Sequence, residues 1–122
     1  MNRYMIVIPA KNRSFVLKCD EGDGAKLETL QKLVSGYVET VPSALDATWA
    51  REKADRLVLL VDEEGRMKCK PENQKATQLA PADFTAGGKL PIVGAAVLMF
   101  QRGEELMGFS KHVADTICSE WL

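Results

Sequence analysis

The sequence is poor in the residues from which acid–base machinery and metal sites are usually built. Its one histidine, His112, excludes any site assembled from several imidazoles. A catalytic triad would have to draw all its proton transfer from a position that reads as the first turn of a helix, so His112 is expected to be a solvated surface side chain. Cys19, Cys69 and Cys118 are scattered along the chain without CxxC spacing. That pattern excludes a paired-thiolate zinc site, and the expectation is buried free thiols. No apolar run approaches the roughly 20 residues needed to cross a bilayer, and the longest, PIVGAAVLMF, reads as a buried strand. The apolar stretch in MNRYMIVIPAKNR is bounded by Pro9 and by charges. It is too short for a secretory leader, so a cytoplasmic protein without a membrane partner is expected. Neither sign of charge dominates: 16 basic residues face 17 acidic ones, for a net charge of −1. No global field draws the chain to nucleic acid, and Lys11, Arg13, Lys68, Lys70 and Lys75 are interleaved with acids, so nucleic acid is not the expected partner.

What is present describes one α+β domain covering residues 1–122. A chain of 122 residues that is 46% hydrophobic and 27% charged has the size and composition to bury a single core. RYMIVIP and SFVLKC flank the polar connector AKNR and should form an N-terminal hairpin. In LETLQKLVSGYVETV, Leu27, Leu30, Leu33 and Val34 follow helical spacing, while residues 37–41 alternate as a strand does. Asp23 or a neighbour would cap that helix, and Gly36 would end it in the left-handed conformation. PSALDATWAREKAD reads as a second helix starting at Pro42 and Ser43, with Asp46 at the capping-box position and Leu45, Trp49 and Ala50 on its apolar side. RLVLLVD is continuously apolar, as a central strand buried on both faces would be. EEG would then turn it, with Gly65 at positive φ, into a return strand RMKCK, giving one central hairpin. A single helical turn is expected around Asn73–Thr77. PIVGAAVLMFQ resumes the sheet, Gly94 marking a bulge or a close approach of another group. Ser110 would cap a closing helix with Val113, Ala114, Ile117, Cys118 and Trp121 on one face. The whole is a mostly antiparallel sheet with two to three packing helices.

Candidate motifs are few. Asp20, Glu21 and Asp23 could form a carboxylate cage but read more simply as a solvated loop with helix-capping acids. GDG at 22–24 precedes a helix as phosphate-binding turns do, yet its acids oppose an anion. GGK at 87–89 lacks the upstream glycine and following Ser/Thr of a phosphate loop and reads as a flexible turn. No metal ligand set and no cofactor is expected.

In order along the chain, LETLQKLVSGYVETV, LVLLVDEEGRMK, PENQKAT, PIVGAAVLM and GEELMGFS together resemble a family of small domains, of no assigned activity, carried by phages and conjugative elements of bacteria. Its landmarks are LQxLVxGYIE, a hydrophobic strand ending in (N/D)EEG, PxNxxAT and a strand beginning IVG. The resemblance covers nearly the whole chain. It departs where members make a short turn and this chain carries SALDATWAREKAD, so Trp49 needs cover from its own domain or from a partner. Gly36, Tyr37 and Glu39 match GYIE; Pro71, Asn73, Ala76 and Thr77 match PxNxxAT. Two readings of these positions stand side by side. In one they are structural, with Tyr37 anchoring its hydroxyl at the core edge and Asn73 capping a turn. In the other, Tyr37 stacks on a ligand while Glu39, Asn73 and Thr77 hydrogen-bond it. No nucleophile or acid–base pair is implied. The expected function is therefore a non-enzymatic accessory protein of a mobile element that binds a small molecule, such as a nucleotide signal, to counter host defence. The alternative is a protein-interaction module that inhibits a host protein, and homo-oligomerisation through apolar termini and strand edges accompanies either.

Overall fold

Strict alternation within the longest strands sets the layering. The computed structural model describes residues 2–43 and 56–122. In β4 (Arg56–Asp62), Leu57, Leu59 and Val61 enter one apolar cluster while Val58 and Leu60 enter a second on the opposite face of the sheet. β5 (Ala96–Arg102) does the same, sending Ala96, Leu98 and Phe100 one way and Val97 and Met99 the other. Side chains of period two must divide this way, and two buried faces explain the unbroken apolar run in each strand. Each fully buried Leu or Val contributes on the order of 1.5–3 kcal/mol.

Around these strands lie β1 (Tyr4–Ile8), β2 (Phe15–Lys18), β3 (Val38–Pro42) and β6 (Glu105–Met107). The described strands form one sheet in the order β2-β1-β5-β4-β3, with β6 paired to β5 and every pairing antiparallel. Helix α1 (Leu27–Val34) covers one face through Leu30 and Val34. Helices α2 (Gln74–Leu79) and α3 (Lys111–Trp121) cover the other through Ala76, Leu79, Ala114 and Ile117. The fold is the expected α+β class with its N-terminal hairpin. No described helix is long and apolar enough to cross a membrane.

Several local expectations change. Arg66–Lys70 is a succession of turns, not a return strand. β4 already has β3 on one side and β5 on the other, so no free edge is left for it to pair. The sheet partner assigned to that segment is β3. Pro42 closes β3 instead of opening a helix, and the expected helix residues Leu45, Asp46, Trp49 and Ala50 lie outside the described residues. Asn73–Thr77 extends into the longer α2, capped by Asn73 as expected. Ser110 caps α3, its hydroxyl accepting from the Val113 amide at 3.3 Å. Trp121 is exposed and not part of the buried face, and Cys69 is exposed while Cys19 is buried.

Among the described strands β3 is an edge, and a blunted one. The Glu63 amide donates to the Tyr37 carbonyl and the Ser43 amide to that of Leu57. Residues 37, 39, 41 and 43 therefore turn their peptide groups toward β4, and Val38, Thr40 and Pro42 turn theirs outward. Pro42 has no N–H to offer there, which shortens the run available to an added strand.

Candidate functional site

The junction between α1 and β3 is built around one carboxylate. Asp62, at the end of β4, has a side chain with no exposed surface. Its Oδ2 receives Lys70 Nζ at 2.6 Å and Lys68 Nζ at 2.9 Å, and its Oδ1 accepts from the Glu64 amide at 3.0 Å. The same lysines reach the end of α1: Lys70 donates to the carbonyls of Val34 (2.7 Å) and Ser35 (3.1 Å), and Lys68 to that of Ser35 (3.3 Å). A helix leaves its last carbonyls without internal partners, and here two ammonium groups supply them while neutralising a buried anion. Burial opposes ionisation of Asp62, but the hydrogen bonds from Lys70 and Lys68 and the Glu64 amide outweigh it and hold the carboxyl at about 2 against its ordinary 3.8.

This arrangement corrects the expected role of Gly36. The left-handed residue that ends α1 is Ser35, at φ 59°. Gly36 is needed for space: a Cβ there would lie 2.6 Å from Asp62 Oδ2 and closer still to Oδ1. Gly65 likewise has no positive φ, and a Cβ on it would meet the Val93 side chain at 2.9 Å. Gly94 does combine a φ of 75° with a close approach, since the Lys70 stem packs against it. The sharp exit from helix to strand therefore lets Asp62 sit under the turn.

The four residues selected from sequence do not converge. Tyr37 is 65% exposed, so its ring faces solvent and does not anchor at the core edge. Glu39 is exposed on β3 and borders a cavity of about 80 Å³ shared with Val61, Phe84 and Ile92. Asn73 is wholly buried. Its Nδ2 donates to the carbonyls of Ile8 (2.8 Å) and Gly94 (2.9 Å), and its Oδ1 accepts from the Ala76 amide (3.0 Å). The Thr77 hydroxyl donates to the Asn73 carbonyl at 2.7 Å and accepts from the Ile92 amide at 2.9 Å. These two side chains are occupied in tying α2 to β1 and to the segment before β5, which is the structural reading of PxNxxAT.

Tyr37 instead keeps other company. It lines an open groove of about 390 Å³ with Glu28, Gln31, Lys32, Gly36 and Lys68. Helical spacing places Glu28, Gln31 and Lys32 on one side of α1, and the Asp62 anchor fixes Lys68. Sequence reasoning missed Gln31, Lys32 and Lys68. The first two were legible as the polar side of an amphipathic helix next to Tyr37, whereas Lys68 arrives only because its segment turns back instead of forming a strand. The groove offers an aromatic face, two ammonium groups, an amide and a carboxylate. Comparison with family models, with curated proteins and with solved structures finds no match to this chain.

Proposed function

We propose that the chain is a non-catalytic binding protein whose ligand is a small planar anion of the nucleotide class, held beside Tyr37. The observation that carries this reading is the exposed Tyr37 ring in a groove shared with Lys32 and Lys68. A ring of this kind stacks on a base, the ammonium groups meet phosphate, and Glu28 and Gln31 are placed to read amino and carbonyl edges. At about 390 Å³ the groove lies within the range of roughly 300–1,000 Å³ typical of small-molecule sites. Taken with the landmarks of the mobile-element family, the role proposed is that of a cytoplasmic phage or conjugative-element accessory protein that holds a host nucleotide signal.

Calorimetry against cyclic and linear nucleotides tests it. Binding is expected for at least one of them, with affinity falling at least about tenfold in Tyr37→Ala and largely kept in Tyr37→Phe, as loss of one stacked ring predicts. Absence of heat and of any thermal shift across the panel would remove the reading.

A second reading, inhibition of a host protein by surface contact, is favoured by Met67, which is 80% exposed, and by exposed Phe84 and Leu90. Met67 and Phe84 share the cavity beside Glu39. Retention of a host protein by the wild type, lost in Met67→Ser combined with Phe84→Ser, is its expected signature. Self-association is proposed with it, from exposed Phe15 and Trp121, and light scattering that finds only the monomer mass would exclude it.

A further inference from the structure

The start of α1 borders a second groove, one with acidic borders. It has a volume of about 640 Å³, its floor includes Leu27, Leu30 and Leu106, and its borders carry Glu21, Asp23, Glu104 and Glu105. Among the described residues, no lysine or arginine lines it. Leu27 is 61% exposed although it belongs to the apolar stripe of α1, so the stripe continues past the core onto this floor. Both acidic borders are held by main chain. Glu21 and Gly24 exchange hydrogen bonds of 2.9 and 3.2 Å, and the Gly108 amide donates to the Asp23 carbonyl at 2.7 Å. Gly24 lies so close to β6 that a Cβ on it would sit 2.5 Å from the Leu106 carbonyl oxygen.

We infer that this groove docks a cationic amphipathic helix of a partner protein, apolar side chains seated on Leu27 and Leu106 and lysines or arginines reaching the two acidic borders. Three observations select this occupant. First, charge complementarity demands a cation, and among the described residues no three acidic, histidine or cysteine groups lie close enough to hold one metal ion. The four carboxylates are separate pegs, which suits positive charges spaced along a chain. Second, the loop carrying Asp23 and Gly24 lies against β6 on the side away from β5, close to the Leu106 carbonyl and bonded to the Gly108 amide, which leaves little room for an added strand. Recognition must then run through side chains, which a helix presents at i, i+3 and i+4. Third, α3 of a second copy does not supply such a face, since its exposed positions mix Lys111 and His112 with Asp115 and Glu120.

The probe is a labelled helical peptide of leucines and lysines about 14 residues long, near 21 Å at 1.5 Å per residue. Fluorescence anisotropy is run on the full chain beside a scrambled peptide of the same composition, a glutamate-for-lysine version, oligolysine and magnesium. The expected result is saturable binding of the amphipathic peptide alone, weakening as salt rises. It should drop at least tenfold in Glu104→Lys combined with Glu105→Lys and in Leu27→Ser, and stay unchanged in Tyr37→Ala. Leu27, Glu104 and Glu105 are surface residues, so these variants test binding without removing the core. Equal binding of the scrambled peptide or oligolysine, binding of magnesium alone, no binding, or indifference to the groove variants would each overturn the inference. Because the probe is not a nucleotide and the Tyr37 variant is a control, this outcome is independent of the ligand proposed for the other groove.

Discussion

The two ends of α1 are each held by an aspartate, Asp20 at the start and Asp62 at the finish, yet one carboxylate stands in water and the other has no exposed surface. Asp20 accepts from the Lys26 amide at 3.0 Å and from the Thr29 hydroxyl. It anchors the start of the helix, a role expected of Asp23 or a neighbour, and its carboxyl is held below its ordinary range chiefly by the Thr29 hydrogen bond and then by the Lys26 amide. Asp62 uses the same chemistry in a place where water cannot replace a lost partner. Burial therefore turns a local cap into a constraint on everything nearby: two lysines are committed to it, a glycine is required beside it, and the strand expected at 66–70 gives way to turns that deliver those lysines.

The contrast can be broken most severely at Gly36. Gly36→Ala places a methyl group against the Asp62 carboxylate, and a loss of about 3 kcal/mol or more is expected from overpacking together with displaced ion pairs, measured by chemical denaturation. A loss under about 1 kcal/mol would show that the junction relaxes freely.

Lys70→Met keeps the stem that packs on Gly94 but removes the ammonium group from Asp62, Val34 and Ser35. A cost of about 2–4 kcal/mol is expected, because a buried anion and helix carbonyls lose a donor together. Its partner substitution Asp62→Asn combined with Lys70→Met should cost less than the sum of the two single changes.

Acid titration compares the two carboxylates directly. The Asp62 carboxyl ionises at about 2 in the folded chain and near 3.8 when unfolded, so the unfolded state binds the proton first. Its contribution is complete above pH 4 and is lost as pH falls toward 2, on the order of 2 kcal/mol in all. Melting temperatures followed from pH 5 to pH 2 should drop steeply in the wild type and less steeply in Asp62→Asn.

Lys68→Met should cost under about 1 kcal/mol, since this ammonium is partly solvated and Lys70 remains on Asp62. In the same variant the affinity for the groove ligand should fall. The smallest effect is expected from Asp20→Ala, visible as faster hydrogen exchange confined to the first turn of α1. A drop in melting temperature matching that of Lys70→Met would erase the distinction between the two anchors.

Some of this could be read from the chain. The N-terminal hairpin, the doubly buried β4, the stripe of α1 and the Ser110 cap all follow from short-range pattern, because periodicity and capping are decided by neighbours in sequence. The candidate site was legible only in part. Tyr37 was identified with its ring available for stacking, but Asn73 and Thr77 attract attention for the same hydrogen-bonding groups that the interior has already used. Whether an asparagine faces a ligand or the carbonyls of Ile8 and Gly94 depends on segments far away in sequence.

By itself the sequence determined the class of fold, the balance of charge and the caps of α2 and α3, since each depends on residue type and on contacts a few residues apart. Tertiary structure alone decided that Gly36 serves a carboxylate from β4, that Lys68 and Lys70 converge on it, and that α1 borders the Tyr37 groove along one side and an acidic groove at its start. Those outcomes depend on which strands occupy the two edges of β4, and sheet pairing is a long-range choice that no local pattern encodes.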